Sequence, residues 1–172
     1  MKPPHGGSST SPHKPQRTFN RILTSEERRE ILKYPEVYYI GTEKSKEPSQ
    51  LSLVLKLGKS PARSSEKGLF RVVEGAHIAY RYEVLGELGR GAFGQVVRCR
   101  DHKTGHIVAV KLNRNDPKLF KSSLIESQIL ELLASDKAKA YGCHTVVELI
   151  EKFKFRGHQV IDVNTNVIVL RV

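Results

Sequence analysis

The sequence predicts an α+β fold: an antiparallel sheet of about five strands with one packed helix, preceded by a disordered N-terminal tail. Three observations carry this. Residues 81–112 alternate strand-like runs with turn signals: "RYEVLGEL", a glycine-rich turn, "GQVVRCRD", "HKTG" and "HIVAVKL". One stretch, residues 117–134, spaces its apolar residues for a helix. The opening "MKPPHGGSSTSPHKPQRT" has proline, glycine and serine but no core former, so it buries too little apolar surface to offset the entropy of ordering.

In chain order, a helix is expected first after Leu23. Thr24 or Ser25 can cap it, and Glu27, three residues beyond Thr24, closes a capping box. Leu23 is placed for a staple-like contact with Ile31 or the stem of Arg28. Pro35 ends the helix by disfavouring helical geometry at Tyr34. Val37 to Gly41 reads as a short extended piece. Residues 42–68 read as linker, within which Leu51, Leu53, Leu55 and Leu57 alternate as a short strand or an apolar docking patch. "LFRVV" from Leu69 is strand-like. The strands around the glycine turn and after "HKTG" follow. Asp116 and Pro117 then fit the N-cap and first position of a helix carrying Leu119, Phe120, Leu124, Ile129, Leu130, Leu132 and Leu133. "TVVELIEKFKFRG" reads as a strand, a bend and the start of another strand.

The net charge is +11, of which +7 lies in residues 1–81 and +4 in the remainder. Such a balance can favour nucleic acid. No zinc-ligand spacing or RNA-binding aromatic motif accompanies it, so the basic part reads as solvated tail and nucleic acid is not an expected partner. Cys99 and Cys143 stand far apart without a CxxC pattern, which points away from a disulfide framework and towards a reducing compartment. No apolar run approaches membrane-spanning length, and the chain reads as soluble and intracellular, in cytoplasm or nucleus.

Gly89, Gly91 and Gly94 form G-x-G-x-x-G, a weak pattern by itself because dinucleotide-binding turns share it. Here the turn leads into an alternating β-branched run rather than a helix. A strand–turn–strand loop of this kind can lay its backbone N–H groups over a triphosphate, and a Cβ at the glycines would block that approach. Phe93 sits at the tip, and Val96 can roof a purine ring. Lys111 ends the next strand, suited to α- and β-phosphate oxygens, with Ala109 two residues earlier on the same face leaving room for a flat base. Glu126, fifteen residues on and mid-helix, is a carboxylate that needs a cation, and Lys111 is the obvious one.

Together the glycine loop, Val96, Val108-Ala109-Val110-Lys111 and a helical glutamate resemble the N-terminal part of the protein-kinase signature. "HIAYRYEVLGELGRGAFGQVVRCRDHKTG", "VAVKLNRN" and "ELIEKFKFRGH" are more specific and resemble the dual-specificity tyrosine-regulated kinases. "LTSEERREILKYPEVYYIG" resembles the segment those kinases carry before the catalytic domain. The resemblance covers residues 22–41 and about 69–158. It implies a kinase N-lobe at 69–158, a pre-lobe segment at 19–41, a tail at 1–18, a linker at 42–68 and a divergent end at 159–172. It also implies ATP and Mg²⁺ as cofactors and protein substrates for the full-length enzyme. By resemblance Leu88, Gly89, Arg90, Gly91, Ala92, Phe93, Gly94, Val96, Ala109 and Lys111 bind ATP, and Glu126 orients Lys111.

The sequence also departs from the family. Its aspartates are Asp101, Asp116, Asp136 and Asp162; none follows His-Arg and none precedes Phe-Gly. The catalytic Asp and the magnesium ligands are therefore not in these 172 residues, which are expected to be inactive by themselves. A non-catalytic N-lobe that docks on a partner protein through its pre-lobe segment is the rival reading. After His158 the family has an apolar fifth strand and a hinge; "QVIDVNTNVIVLRV" shows neither, though it can still form a strand. Gln159-Val160 can be written CAG-GT, the sequence at an exon–intron boundary. Translated intron, a shortened isoform and a gene fragment all stay open.

Overall fold

The computed structural model describes residues 9–12, 21–46, 68–135 and 149–164. The Leu51–Leu57 run, Cys143, most of the expected disordered tail and everything after Asn164 lie outside the described residues. The fold is α+β. Six strands form one antiparallel sheet in the order β1-β2-β3-β4-β6-β5. They are β1 (His77–Ile78), β2 (Tyr82–Arg90), β3 (Gly94–Asp101), β4 (Ile107–Asn113), β5 (Leu149–Phe155) and β6 (His158–Asn164). The α-helices α1 (Ser25–Glu30) and α2 (Phe120–Ala134) accompany it. Among the described residues no helix is long and apolar enough to cross a membrane.

The chain divides into two compact units. The first comprises Met1–Pro61, Val72–Gly86 and Cys99–His106. Its helix α1 starts as the capping box demands: the Thr24 N–H donates to Glu27 Oε2 at 3.0 Å, and the Glu27 N–H donates back to Thr24 Oγ1 at 3.2 Å. A single 3₁₀ turn, Ile31–Lys33, ends it before Pro35. Leu23, Ile31, Val37 and Tyr80 form the core here, with Tyr34 and Ile40 against them. The extended piece pairs with the tail, since Thr10 and Val37 exchange backbone hydrogen bonds at 2.8 and 3.0 Å. Residues of the expected linker also take defined positions. A 3₁₀ turn at Lys44–Lys46 brings Lys46 Nζ to Glu27 Oε2 at 2.8 Å.

Two hairpin turns organise this unit. Between β1 and β2, Ala79 and Tyr80 both have positive φ, 51° and 56°, and the Arg81 N–H bonds the Ile78 carbonyl. That geometry costs a non-glycine residue about 1–2 kcal/mol. Tyr80 offsets it by complete burial and by a hydroxyl that donates to Glu27 O (3.1 Å) or Glu30 Oε2 (2.8 Å). At 101–106 the buried Asp101 carboxylate accepts from Arg81 Nε and Nη2 at 2.8 Å each, from Thr104 Oγ1 at 2.8 Å and from the Lys103 N–H at 2.9 Å. Burial alone would raise its carboxyl; Arg81, Thr104 and the Lys103 N–H outweigh burial and hold it below the usual range.

The second unit comprises Ala62–Arg71, Glu87–Arg98 and Ile107–Val172. β6 pairs with β4 on one side (Ala109↔Val163, Lys111↔Ile161) and β5 on the other (Phe153↔Val160, Phe155↔His158). A two-residue turn joins β5 to β6; Arg156 and Gly157 both have positive φ, as a type I′ hairpin requires. Val160, Ile161 and Val163 are buried, so the stretch where the family resemblance ends forms an interior strand, between β4 and β5.

Three local expectations are corrected. "LFRVV" forms no strand: Leu69 makes a lone bridge and Phe70–Val73 none. The reason lies in its carbonyls, which are taken by groups remote in sequence: the Phe70 carbonyl accepts from the buried Gln95 amide and the Gly68 carbonyl from the Asn115 N–H. Asp116 is not the cap of α2. Its Oδ1 accepts from the Lys118 N–H at 2.9 Å, which builds a separate turn over Pro117–Leu119, and the helix begins at Phe120 with Leu119 as an uncapped N-cap. Finally, the packed helix buries few of its large residues: Phe120, Leu124, Ile129 and Leu132 are exposed.

Candidate functional site

The glycine turn joins β2 to β3. The Gly91 N–H donates to the Gly94 carbonyl at 2.8 Å, leaving Ala92 and Phe93 exposed at the tip. The glycines have different local reasons. A Cβ on Gly94 would lie 2.9 Å from Asn113 Cα and closer still to the Leu112 carbonyl, so only glycine lets the turn close onto β4. A Cβ on Gly91 would meet nothing within 4 Å, so the backbone there faces open space. Leu88 is exposed, and Gly89 half-buried. Arg90 pairs with Glu87 across one strand turn, Nη2 to Oε2 at 2.7 Å, and that carboxylate raises the guanidinium above its usual value.

Sequence reasoning missed a residue that holds this turn. The Arg114 N–H donates to the Phe93 carbonyl at 2.9 Å, and its Nη2 donates to the Gly91 carbonyl at 3.2 Å. The chain immediately after β4 therefore grips the loop. The only signal in the sequence is an arginine just past the strand, which composition alone does not separate from a surface charge.

Lys111 projects from β4 and Glu126 from α2, and the structure brings them together: Nζ donates to Oε1 in a direct ion pair. Both side chains keep some solvent exposure, 23% and 36%. Val96 is half-buried and packs on a cluster of Ala109, Ile161 and Val163, joined by Leu130 of α2 and Leu149 of β5. Ala109 itself has no exposed surface. Along α2 an open groove of about 360 Å³ is lined by Ser122, Ile125, Glu126, Ile129 and Leu130. Among the described residues no three of His, Cys, Asp and Glu gather to hold a metal ion.

An antiparallel sheet with a glycine turn between its strands, a strand lysine and a helix glutamate paired to it has the organisation of a protein-kinase N-lobe. Comparison with known proteins agrees. The chain is 34% identical over 154 residues, 90% of its length, to the dual specificity tyrosine-phosphorylation-regulated kinase mbk-2 of Caenorhabditis briggsae. It is 38% identical over 141 residues to the human dual specificity tyrosine-phosphorylation-regulated kinase 4, covering 81% of this chain. It is 33% identical over 138 residues, 80% of the chain, to the serine/threonine-protein kinase ppk5 of Schizosaccharomyces pombe. No protein-family model matches. The chain is a relative of the dual-specificity tyrosine-phosphorylation-regulated kinases. It spans 18%, 26% and 16% of the lengths of those three relatives.

Proposed function

We propose that this chain carries the nucleotide-holding N-lobe of a serine/threonine or dual-specificity protein kinase, with Mg-ATP as phosphoryl donor and protein hydroxyls as acceptors in the longer enzyme. The observation that carries the reading is the Lys111–Glu126 pair next to a glycine turn closed onto the same strand. Bound ATP would supply the phosphoryl group. The turn Leu88–Gly94 would lie along the phosphates, its open backbone at Gly91 allowing close approach. Lys111 would bring an ammonium to the α- and β-phosphates, held in place by Glu126. Val96 and Ala109 would line the base side, which requires that the packing over the fully covered Ala109 give way. The described residues offer no ligand set for Mg²⁺, so the metal would arrive with the phosphates of the nucleotide.

On this reading residues 69–158 are the lobe and 19–41 the pre-lobe segment. The protein works in the reducing interior of the cell, cytoplasm or nucleus, in keeping with Cys99 as a buried cysteine outside any disulfide. Calorimetric titration of Mg-ATP into the 172-residue chain tests the site. Binding is expected at about 0.1 mM or weaker, abolished in Lys111→Ala. Equal binding by wild type and Lys111→Ala, or no heat at millimolar nucleotide, would overturn the reading.

A further inference from the structure

The helix that delivers Glu126 is docked in an unusual way. A partly exposed ion pair is a weak anchor, too weak by itself to fix the position of the 15-residue α2. The helix also turns its large apolar side chains outward; Ile125 and Leu132 are 56% and 69% exposed, whereas Ser123 and Ser127 are 8% and 0% exposed. Ser123 and Ser127 are four residues apart and share one helix face, with Leu130 continuing it. Leu130 is an apolar member of that inward stripe, and it packs on the Ala109–Ile161–Val163 cluster.

Directional hydrogen bonds supply what apolar contact does not. Asn113, the last residue of β4 and only 2% exposed, donates from Nδ2 to Ser123 Oγ. Ser123 Oγ donates to Gln159 Oε1 at 2.8 Å. Gln159 Nε2 donates to Ser127 Oγ at 3.3 Å. Ser127 Oγ donates to the Leu124 carbonyl at 2.9 Å. Each hydroxyl accepts once and donates once, so the relay runs in a single sense from β4 through α2 and β6 and back into α2. Its start is fixed as well, because His158 Nδ1 donates to the Asn113 carbonyl at 2.8 Å. Its two serines bracket Glu126. Rotation of α2 about its axis would break both serine–glutamine bonds and carry the carboxylate off Lys111.

We propose that Asn113, Ser123, Ser127 and Gln159 are positioning residues, a buried amide–hydroxyl relay that sets the rotation of α2 and thereby keeps Glu126 on Lys111. The consequence for phosphate binding rests on the nucleotide reading above; the effect on the ion pair does not. The test is made without nucleotide, on the full 172-residue chain, with a limiting amount of acetic anhydride. Peptide mass spectrometry gives the acetylation rate of Lys111 relative to the exposed Lys103. Glu126→Gln should raise this ratio. Gln159→Leu, which keeps bulk and removes both bonds, and Ser127→Ala should raise it roughly three- to tenfold, the effect of losing one or two hydrogen bonds. Gln159→Leu added to Glu126→Gln should add nothing. A folded Gln159→Leu chain with the wild-type ratio, or an additive double variant, overturns the relay. Should Gln159→Leu unfold, seen as all lysines reacting alike, Ser127→Ala decides on the same ratio. Normal nucleotide titration with unaltered labelling would sink the relay alone; altered labelling with no nucleotide binding would sink the nucleotide reading alone.

Discussion

Glu27 and His77, fifty positions apart, meet in the first unit with 2.9 Å between Oε1 and Nε2, and the carboxylate is then saturated by Lys46 and the Thr24 N–H. A residue legible only as a helix cap is thus also the centre of a buried polar cluster. Burial by itself would raise its carboxyl; the His77 ring, Lys46 and Thr24 outweigh burial and hold it far below the usual range.

That depression sets the sign of a pH effect. Stability from Glu27 is fully present above its ordinary value of 4.5 and is lost as pH falls below it. Asp101 acts in the same direction around 3.8. Glu27→Ala should cost about 3–5 kcal/mol at pH 7, because it leaves Lys46 and His77 without their shared carboxylate. Thermal melts of wild type should be flat from pH 7 to about 5 and fall below that, and the gap to Glu27→Ala should narrow with the fall. A gap that widens on acidification would refute the assignment.

The glycine turn should separate folding from binding. Gly94→Ala forces a Cβ into the backbone of β4 and should destabilise by about 1–3 kcal/mol. Gly91→Ala meets open space and should shift stability by less than about 0.5 kcal/mol, yet weaken Mg-ATP binding by crowding the phosphates. Denaturant melts and titration of both variants check this.

Phosphotransfer is expected to be absent from the 172-residue chain, since no aspartate follows His-Arg or precedes Phe-Gly. Incubation with radiolabelled ATP and a mixed peptide library should give no labelled peptide. Labelling present in wild type and lost in Lys111→Ala would contradict this.

The outward apolar face of α2 should make the chain self-associate. Ile125, Ile129 and Leu132 are half or more exposed on one helix. Light scattering should report mass above the monomer's 19.4 kDa at micromolar concentration, and Ile125→Glu with Ile129→Lys should return it towards the monomer. A monodisperse wild-type monomer would be the opposing result.

What the sequence made legible was chemistry with few structural alternatives. A strand lysine and a mid-helix glutamate need each other, and Thr24 with Glu27 has one economical arrangement. What it hid depended on which partner each polar group takes. "LFRVV" has strand composition, but Gln95 takes the Phe70 carbonyl that a ladder would use. Asp116 has cap chemistry, but spends it on the Lys118 N–H. The apolar spacing of α2 identified a helix without revealing its inward face, because that face is made of serines whose partner, Gln159, is a polar residue in a buried strand.

The strand order has a consequence for vectorial synthesis. β6 lies between β4 and β5 although residues 114–157 are made between β4 and β6. At ribosomal speeds of about 5–20 residues per second, a nascent β4 waits roughly 2–9 s with one row of amides and carbonyls uncovered. β5 cannot relieve it, since β5 pairs only with β6. The tight Arg156-Gly157 turn sets β6 directly against β5, so what β4 needs for its open edge is available as a local hairpin rather than a single strand.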